Sequence, residues 1–264
     1  MPRLGVLGYP VAHSRSPAMH EAAFRALSLE DWRYQRLPVP PELFSETVRA
    51  LEGAGFLGAN VTIPHKQAAL TSADEASAAA RAIGAANTLS FAGGRIEAEN
   101  TDAPGLLAAL PEPPLGRSAL VLGAGGSARA VVWALLSQGA ADVRVWNRTP
   151  ARAEALCAEL GGHAVATAAG ADLLVNCTAV GLRDPAATFK ELPLSADSLR
   201  NYGCVVDLVY SEAETALIGA ARRAGVAVVD GLEILVQQGA LGFRRWTGRQ
   251  APLDAMREGA RGSP

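Results

Sequence analysis

Lys66 is one of only two lysines, with Lys190, in a chain that carries 22 arginines. It ends the stretch Ala59-Asn-Val-Thr-Ile-Pro-His-Lys66, an apolar run that breaks at proline just before the ammonium. Arginine keeps its proton, whereas a lysine, with a reference pKa of about 10.4, can be tuned to give one up. A lysine kept where arginine serves nearly every other cationic position is a candidate for proton transfer. It can equally be a leftover surface cation, since genomic base composition or heat adaptation produces the same arginine bias. Rarity alone does not separate the two.

A second feature suits an anion. Ala119-Leu-Val-Leu-Gly123-Ala124-Gly125-Gly126-Ser127-Ala128-Arg129 runs an apolar strand straight into Gly-x-Gly-Gly-x-Ala and then a helical stretch. Gly123 permits a tight turn, Gly125 lets the backbone approach a pyrophosphate, and Ala128 is small enough for close helix–sheet packing. The helix N-terminus beyond them offers free N–H groups and the positive end of a dipole. The strand–turn–helix context is what such a motif needs, although a tight turn without ligand is spelled the same way.

The next strand, Val143-Arg-Val-Trp146, bears on which dinucleotide would bind. An NAD site ends this strand in Asp or Glu to hold the ribose 2′-hydroxyl. Here Asn147-Arg148-Thr149 stands in that place, and Asp142 lies at the opposite end. Arg148 can stack on adenine or pair with a phosphate, Asn147 and Thr149 can donate to it, and Arg152 follows on the next helical turn. Donors without a carboxylate favour NADP(H). The ordinary alternative is a solvent-exposed arginine after a strand.

The elements that must position these groups alternate between short apolar runs and alanine-rich helical ones. Leu4–Leu7 reads as a strand, and Ser16–Leu27 as a helix with Ser16 as its cap and Pro17 in its first turn. Trp32–Val39 is extended, Pro41–Gly53 helical, Gly58–Ile63 a strand and Ala73–Ile83 a helix. Leu89–Phe91 and Arg95–Glu99 form a hairpin through Ala92-Gly93-Gly94. Beyond the Pro-rich stretch Pro111–Pro114, strands at Ala119–Leu122, Val143–Trp146, Leu173–Cys177, Val205–Val209 and Val226–Val229 alternate with helices at Ser127–Gln138, Pro150–Leu160 and Glu214–Ala224. Leu232–Trp246 and Leu253–Arg261 end the chain as helices. This pattern predicts an α/β fold of parallel sheets covered on both faces, in two units parted near residues 100–115.

Bulk properties exclude several classes. At 264 residues, 49% hydrophobic and 19% charged, the chain is globular and long enough for two ordinary domains. A net charge of −2 gives no basic field for nucleic acid and no polybasic patch for a membrane. No stretch approaches the roughly 20 apolar residues of a membrane span. Gly5, Gly8 and Pro10 break the apolar start, so it reads as no signal peptide. Cys157, Cys177 and Cys204 read as free thiols in a reducing cytoplasm. The four scattered histidines show no metal-ligand spacing. A small-molecule partner is expected, and a homodimer stays open because the sequence does not fix the oligomeric state.

Taken together, the motifs resemble those of the shikimate dehydrogenase family over nearly the whole chain. They are His13-Ser-Arg-Ser-Pro17, Asn60-Val-Thr-Ile-Pro-His-Lys66, Gly84-Ala-Ala-Asn-Thr88, Asn100-Thr-Asp102, Gly123–Ala128, Asn147-Arg-Thr149, Asn176-Cys-Thr-Ala-Val-Gly181, Asp207-Leu-Val-Tyr210 and Leu235-Val-Gln-Gln238-Gly. The resemblance implies NADPH-dependent, reversible reduction of 3-dehydroshikimate to shikimate, on the route to chorismate and the aromatic amino acids. It also implies an N-terminal substrate domain of residues 1–101 completed by the carboxyl-terminal helices, 232–264. Residues 102–231 would form a Rossmann-type, doubly wound NADP-binding domain.

By the same resemblance, Lys66 and Asp102 are the catalytic pair. The carbonyl oxygen gains negative charge as hydride reaches its carbon, and a protonated lysine stabilises that charge and donates the proton. The carboxylate would orient the ammonium and bind the same hydroxyl. Asp102 also reads as an ordinary helix cap ahead of Leu106–Leu110. Ser14 and Ser16 match the pair that holds the substrate carboxylate, and hydroxyls beside a helix N-terminus suit an anion. Thr62, Asn87, Tyr210 and Gln238 match the remaining substrate contacts. Thr178, Val180, Leu208 and Gly231 match positions near the nicotinamide. Among these, Gly231 has an independent reason, since Asp-Gly at a strand end suits a turn with positive φ.

One departure stands out: the family usually has proline two residues after the tyrosine, where this chain has Glu212. A dual quinate/shikimate dehydrogenase is the nearest rival. A methylene-tetrahydrofolate dehydrogenase shares the plan but not the His-Ser-Arg-Ser and Asn-Thr-Asp motifs. A non-catalytic nucleotide-binding regulator on this fold would be expected to have lost Lys66 or Asp102.

Overall fold

The computed structural model describes residues 1–210 and 214–262, so Glu212 lies outside the described residues. The chain divides into two compact units, Met1–Gly105 with Leu235–Pro264, and Leu106–Ile234. Each is built on its own six-stranded sheet.

The first unit begins with β1 (Arg3–Gly8), α1 (Ser16–Ala26), β2 (Arg33–Pro38), α2 (Phe44–Ala50) and β3 (Phe56–Val61). It continues through α3 (Lys66–Ser72), β4 (Glu75–Ala76), α4 (Ala78–Ile83), β5 (Thr88–Ala92) and β6 (Arg95–Glu99). The strands lie in the order β2-β1-β3-β5-β6-β4. β1 is parallel to both its neighbours, whereas β5 is antiparallel to β3 and to β6. The sheet is therefore mixed, not parallel as the strand–helix alternation predicts. Only antiparallel neighbours can be joined by a turn as short as the one through Gly93 and Gly94. Leu7, Phe44, Val61, Leu89 and Ile96 fill the core of this unit.

The helix expected over Ala73–Ile83 is shortened to Ala78–Ile83, and a separate helix, α3, lies wholly before the expected span. α3 ends at Ser72, and α4 starts at Ala78 behind Ser77, whose Oγ accepts from the Ala80 N–H at 3.0 Å. Between them Asp74 is drawn to the sheet edge: its N–H donates to the Ile96 carbonyl at 2.9 Å and its carboxylate accepts from the Ile96 N–H at 2.8 Å. Alanine-rich composition favours helix throughout, but a capping serine and a carboxylate competing for backbone donors delay its start.

α5 (Asp102–Ala109) leads into the second unit. There β7 (Ser118–Leu122), α6 (Gly126–Ser137), β8 (Asp142–Trp146), α7 (Pro150–Leu160), β9 (His163–Ala164) and β10 (Ala171–Asn176) follow in turn. α8 (Thr188–Glu191), β11 (Tyr202–Asp207), α9 (Ala216–Arg223) and β12 (Ala227–Val229) complete it. Every pairing is parallel, in the order β12-β11-β10-β7-β8-β9. Read from β9, that is the 3-2-1-4-5-6 order of a doubly wound nucleotide-binding sheet. β7, β10 and β11 are buried almost end to end, the mark of strands covered on both faces.

α10 (Gly231–Thr247) and α11 (Leu253–Arg261) end the chain. The Trp246 indole N–H donates to the Leu89 carbonyl at 2.9 Å, which fixes the last turns of α10 on β5. Among the described residues, the three cysteines form no disulfide. Among the described residues, no helix is long and apolar enough to cross a membrane.

Candidate active site

Lys66 opens α3 directly after the turn Thr62–His65. That turn is held by the His65 N–H on the Thr62 carbonyl at 2.9 Å and by the His65 ring, which stacks on Phe44 and contacts the Val39 carbonyl at 2.7 Å. From this fixed base the Lys66 ammonium donates to Asp102 Oδ2 at 2.7 Å. The two side chains are 12% and 14% exposed, so the pair is shielded yet open to a ligand. Asp102 is free for this contact because Asn100 takes the capping role expected of it: Asn100 Oδ1 accepts from the Ala103 N–H at 3.2 Å.

Asn87 ties Asp102 to its neighbours. Its Nδ2 stands 2.9 Å from Asp102 Oδ1, 3.0 Å from Thr101 Oγ1 and 3.1 Å from Gln238 Oε1. An amide has two hydrogens, so three acceptors share two donors. Its Oδ1 accepts from the Thr101 N–H at 2.7 Å, fixing which end is the donor. Gln238 reaches this group because Gly105 lets α10 come close: a Cβ at Gly105 would stand 2.7 to 2.9 Å from Gln238 Cβ, N and Cα. Behind Asn87, Asn60 donates to the Thr88 hydroxyl at 3.2 Å and accepts from the Tyr34 hydroxyl at 2.7 Å. Sequence reading passed over Tyr34, Asn60, Thr88 and Thr101. Asn60, Thr88 and Thr101 lie inside quoted motifs, but Tyr34 carried no local signal.

Ser14 and Ser16 are both buried, in the loop after β1 and at the start of α1. Ser16 does not accept a capping bond, contrary to expectation; instead Ser14 Oγ accepts from the Ser16 N–H at 3.3 Å. Thr62 follows β3, and its N–H donates to the Leu7 carbonyl at 2.8 Å. Because β1 and β3 are parallel neighbours, the serine loop and the turn that carries Lys66 leave the same carboxyl edge of the sheet. That is where open α/β sheets bind ligands.

In the second unit the glycine turn joins β7 to α6. Gly123 has φ of 108°, and a Cβ there would stand 3.3 Å from the Cys177 carbonyl, so the turn lies close against the loop after β10. β7 and β10 flank the point where the strand order reverses. Gly125 precedes α6 with open space where a Cβ would stand, Ala124, Gly126 and Ser127 are half-buried, and Ala128 is fully buried against the sheet. Past β8, the Arg148 side chain is 83% exposed with Glu191 at 3.7 Å, while Asn147 Nδ2 donates to the Thr149 carbonyl at 2.9 Å. Thr149 and Arg152 are exposed beside them at the start of α7. Asp142 is turned to Arg144 at the far end of the strand. The open turn at a helix start and a phosphate-matched donor set without a carboxylate at the strand end fit NADP.

The loops after β10 and β11 share a buried carboxylate. Asp207 accepts from Asn176 Nδ2 at 2.9 Å, the Val209 N–H at 3.1 Å and Thr215 Oγ1 at 2.7 Å. Burial pushes its carboxyl up to about 6, against the pull of these donors. Asn176 Oδ1 in turn accepts from Thr178, whose hydroxyl accepts from the Val180 N–H. Leu208 and Tyr210 are half-buried in the segment that follows Asp207, beyond the end of β11. Gly231 is required for a different reason than positive φ: as the first residue of α10 it lies so close that a Cβ would meet the Leu208 and Val209 carbonyls at 2.9 and 2.7 Å. Among the described residues, no group of three or more His, Cys, Asp or Glu could hold a metal ion.

Residues 6–89 match the family model of the shikimate dehydrogenase substrate binding domain, 112–179 that of shikimate / quinate 5-dehydrogenase, and 231–260 that of the shikimate 5'-dehydrogenase C-terminal domain. A shikimate dehydrogenase (NADP(+)) from Thermus thermophilus is 48% identical over 265 residues, covering 99% of this chain and 98% of its own. The crystal structure of shikimate 5-dehydrogenase from Thermus thermophilus in complex with NADP(H) and shikimate is similar at a TM-score of 0.89 and 45% identity, covering 99% of both chains. A ligand-free 5-ketofructose reductase from Gluconobacter is also similar, at a TM-score of 0.85 and 32% identity over 98% of this chain and 97% of its own.

Proposed function

The chain belongs to the shikimate dehydrogenase family, and we propose that it reversibly reduces 3-dehydroshikimate to shikimate with NADP(H), serving aromatic amino acid biosynthesis in the cytoplasm. The observation that carries this reading is the 2.7 Å contact between the Lys66 ammonium and Asp102, set among buried amides and hydroxyls. We assign the unit that holds this pair to the substrate and the doubly wound unit to the dinucleotide.

When bound, reduced NADP supplies the hydride. Gly123, Ala124, Gly125, Gly126, Ser127 and Ala128 would hold its pyrophosphate at the start of α6. Asn147, Arg148, Thr149 and Arg152 would hold the 2′-phosphate, and Thr178, Val180, Leu208 and Gly231 would border the nicotinamide. On the substrate side, Lys66 Nζ holds the proton that the developing alkoxide takes up. Asp102 aims the ammonium and accepts from the hydroxyl as it forms; in the reverse direction it receives that hydroxyl's hydrogen bond first. Asn87 and Gln238 orient the ring hydroxyls, with Thr62 and Tyr210 completing the contacts. Ser14 and Ser16 receive the carboxylate at the N-terminus of α1, where the helix dipole favours an anion.

The test is absorbance at the nicotinamide band with shikimate and quinate, each offered with NADP+ and NAD+. Turnover of shikimate with NADP+ well above every other combination is expected. Equal turnover of quinate would replace the assignment with dual specificity, and no turnover in any combination would sink the enzymatic reading.

A further inference from the structure

Ser14 closes the loop after β1 through its N–H on the Val11 carbonyl at 3.0 Å. Its own carbonyl has no helical donor, because the first bond of α1 runs from the Met19 N–H to the Arg15 carbonyl. Arg36 takes that place. It lies on β2 beside Val6 of β1, and two of its donors converge on the Ser14 carbonyl, Nε at 3.1 Å and Nη2 at 2.8 Å. One donor would satisfy the carbonyl. Two from a rigid planar fork also fix the direction of the Ser14–Arg15 peptide, the backbone from which the Ser14 hydroxyl projects.

The charge matters as much as the fork. Arg36 is half-buried, and Arg15, which is buried, donates from Nη1 to the Gly262 carbonyl. Among the described residues neither guanidinium meets a carboxylate. Shielded charges are costly without a counter-charge. Arg36 therefore sets a cation on the peptide that carries Ser14, beside neutral hydroxyls, in a place where an incoming anion would complete the balance.

We propose that Arg36 is a positioning residue of the carboxylate subsite, clamping the Ser14 peptide and supplying positive charge to an anion bound by the two serines. This rests on the reading that Ser14 and Ser16 hold the substrate carboxylate. Arg36 does not touch the substrate; it acts through the Ser14 carbonyl and through its field.

Steady-state kinetics with shikimate and with its neutral methyl ester test the idea on Arg36→Met and Arg36→Lys. The methionine variant should raise the KM for shikimate about ten-fold, the scale of one partly screened charge contact. Its kcat and its KM for NADP+ should change little. The ester should lose much less than the acid, and lysine should recover part of the loss because it keeps the charge without the fork. Equal losses for acid and ester, or an unchanged shikimate KM, overturn the proposal. Should the methionine variant fail to fold, Arg36→Gln, whose amide can still donate once to Ser14, carries the same comparison. Ser14→Ala and Ser16→Ala report on the underlying assignment. An unchanged shikimate KM in both sinks that assignment, whereas an acid-selective loss there with none in Arg36→Met sinks only the role of Arg36.

Discussion

Lys66 and Asp102, 36 positions apart in the chain, share a 2.7 Å hydrogen bond at the starts of two helices, α3 and α5. Neither end of the contact is left to a flexible loop. The His65 ring anchors the turn before Lys66, and Asn100 caps the helix that Asp102 opens. A proton donor and its orienting carboxylate are thus held before any substrate arrives, which is what positioning a reacting group requires.

Replacing Lys66 by Ala should lower kcat by about 10²–10⁴-fold, the usual contribution of general acid catalysis. Shikimate binding, followed by calorimetry, should be largely retained, because the serines, Asn87 and Gln238 are untouched. A kcat near the wild-type value would remove Lys66 from the chemistry.

Much of this site could be read from local sequence, and the limits are physical. The glycine turn was legible because strand, turn and helix lie within a dozen or so adjacent residues, each with its own conformational reason. Lys66 stood out by composition. What local pattern cannot carry is the sharing of donors across the fold. Asn60 looks like strand filler until Tyr34, 26 positions earlier, is found at its carbonyl. Ser16 before a proline spells a cap, yet Ser14 and Arg36 hold that loop. Asp-Gly at 230–231 suggests a positive-φ turn, while the real constraint is the backbone of Leu208 and Val209 passing underneath. The non-helical stretch at Asp74 was hidden in the same way, by a strand bond to Ile96 that alanine-rich neighbours do not announce.

Gly105→Ala tests the close approach that brings Gln238 to Asn87. The new methyl would lie within 3 Å of Gln238 backbone atoms, which cannot swing aside. Overpacking of this kind costs about 1–3 kcal/mol, and in a chain of this size that lowers Tm by roughly 2–10 °C. The KM for shikimate should rise as Gln238 is displaced, while the KM for NADP+ holds. A melt and a shikimate KM like the wild type's would show that α10 can retreat freely.

Arg148→Asp should move cofactor preference from NADP+ toward NAD+. The change removes the cation expected at the 2′-phosphate and supplies an acceptor for a ribose hydroxyl. The ratio of kcat/KM for NADP+ over NAD+ should fall by about ten-fold or more, one charge-assisted contact's worth. The new carboxylate would face Glu191, now 3.7 Å from the guanidinium, but both positions are exposed and the repulsion is small. An unaltered ratio would rule out Arg148 as the selector.

Asp207 gives a stability prediction whose sign follows from its burial. Its folded-state carboxyl is pushed up to about 6 from an ordinary 3.8, so the folded protein holds this proton more tightly than the unfolded chain does. Unfolding then releases a proton between about pH 4 and pH 6, and stability falls as pH rises through that window. Below it both states are protonated and the penalty vanishes; above it the penalty is complete, at about 3 kcal/mol at most. Asp207→Asn removes the charge and keeps the bonding pattern. The amide oxygen can accept from Asn176 and Val209, and the amide hydrogens can point to the Thr215 hydroxyl. Relative to wild type, the variant should gain stability at pH 8 and lose that advantage by pH 4, as followed by denaturant melts across the range. His20 bends the absolute curves the other way, since burial pushes its imidazole down to about 3 and favours the folded state at higher pH. That contribution is common to both proteins and cancels in their difference. A difference that stays constant from pH 4 to pH 8 would mean that the three donors, rather than burial, set the charge state of Asp207.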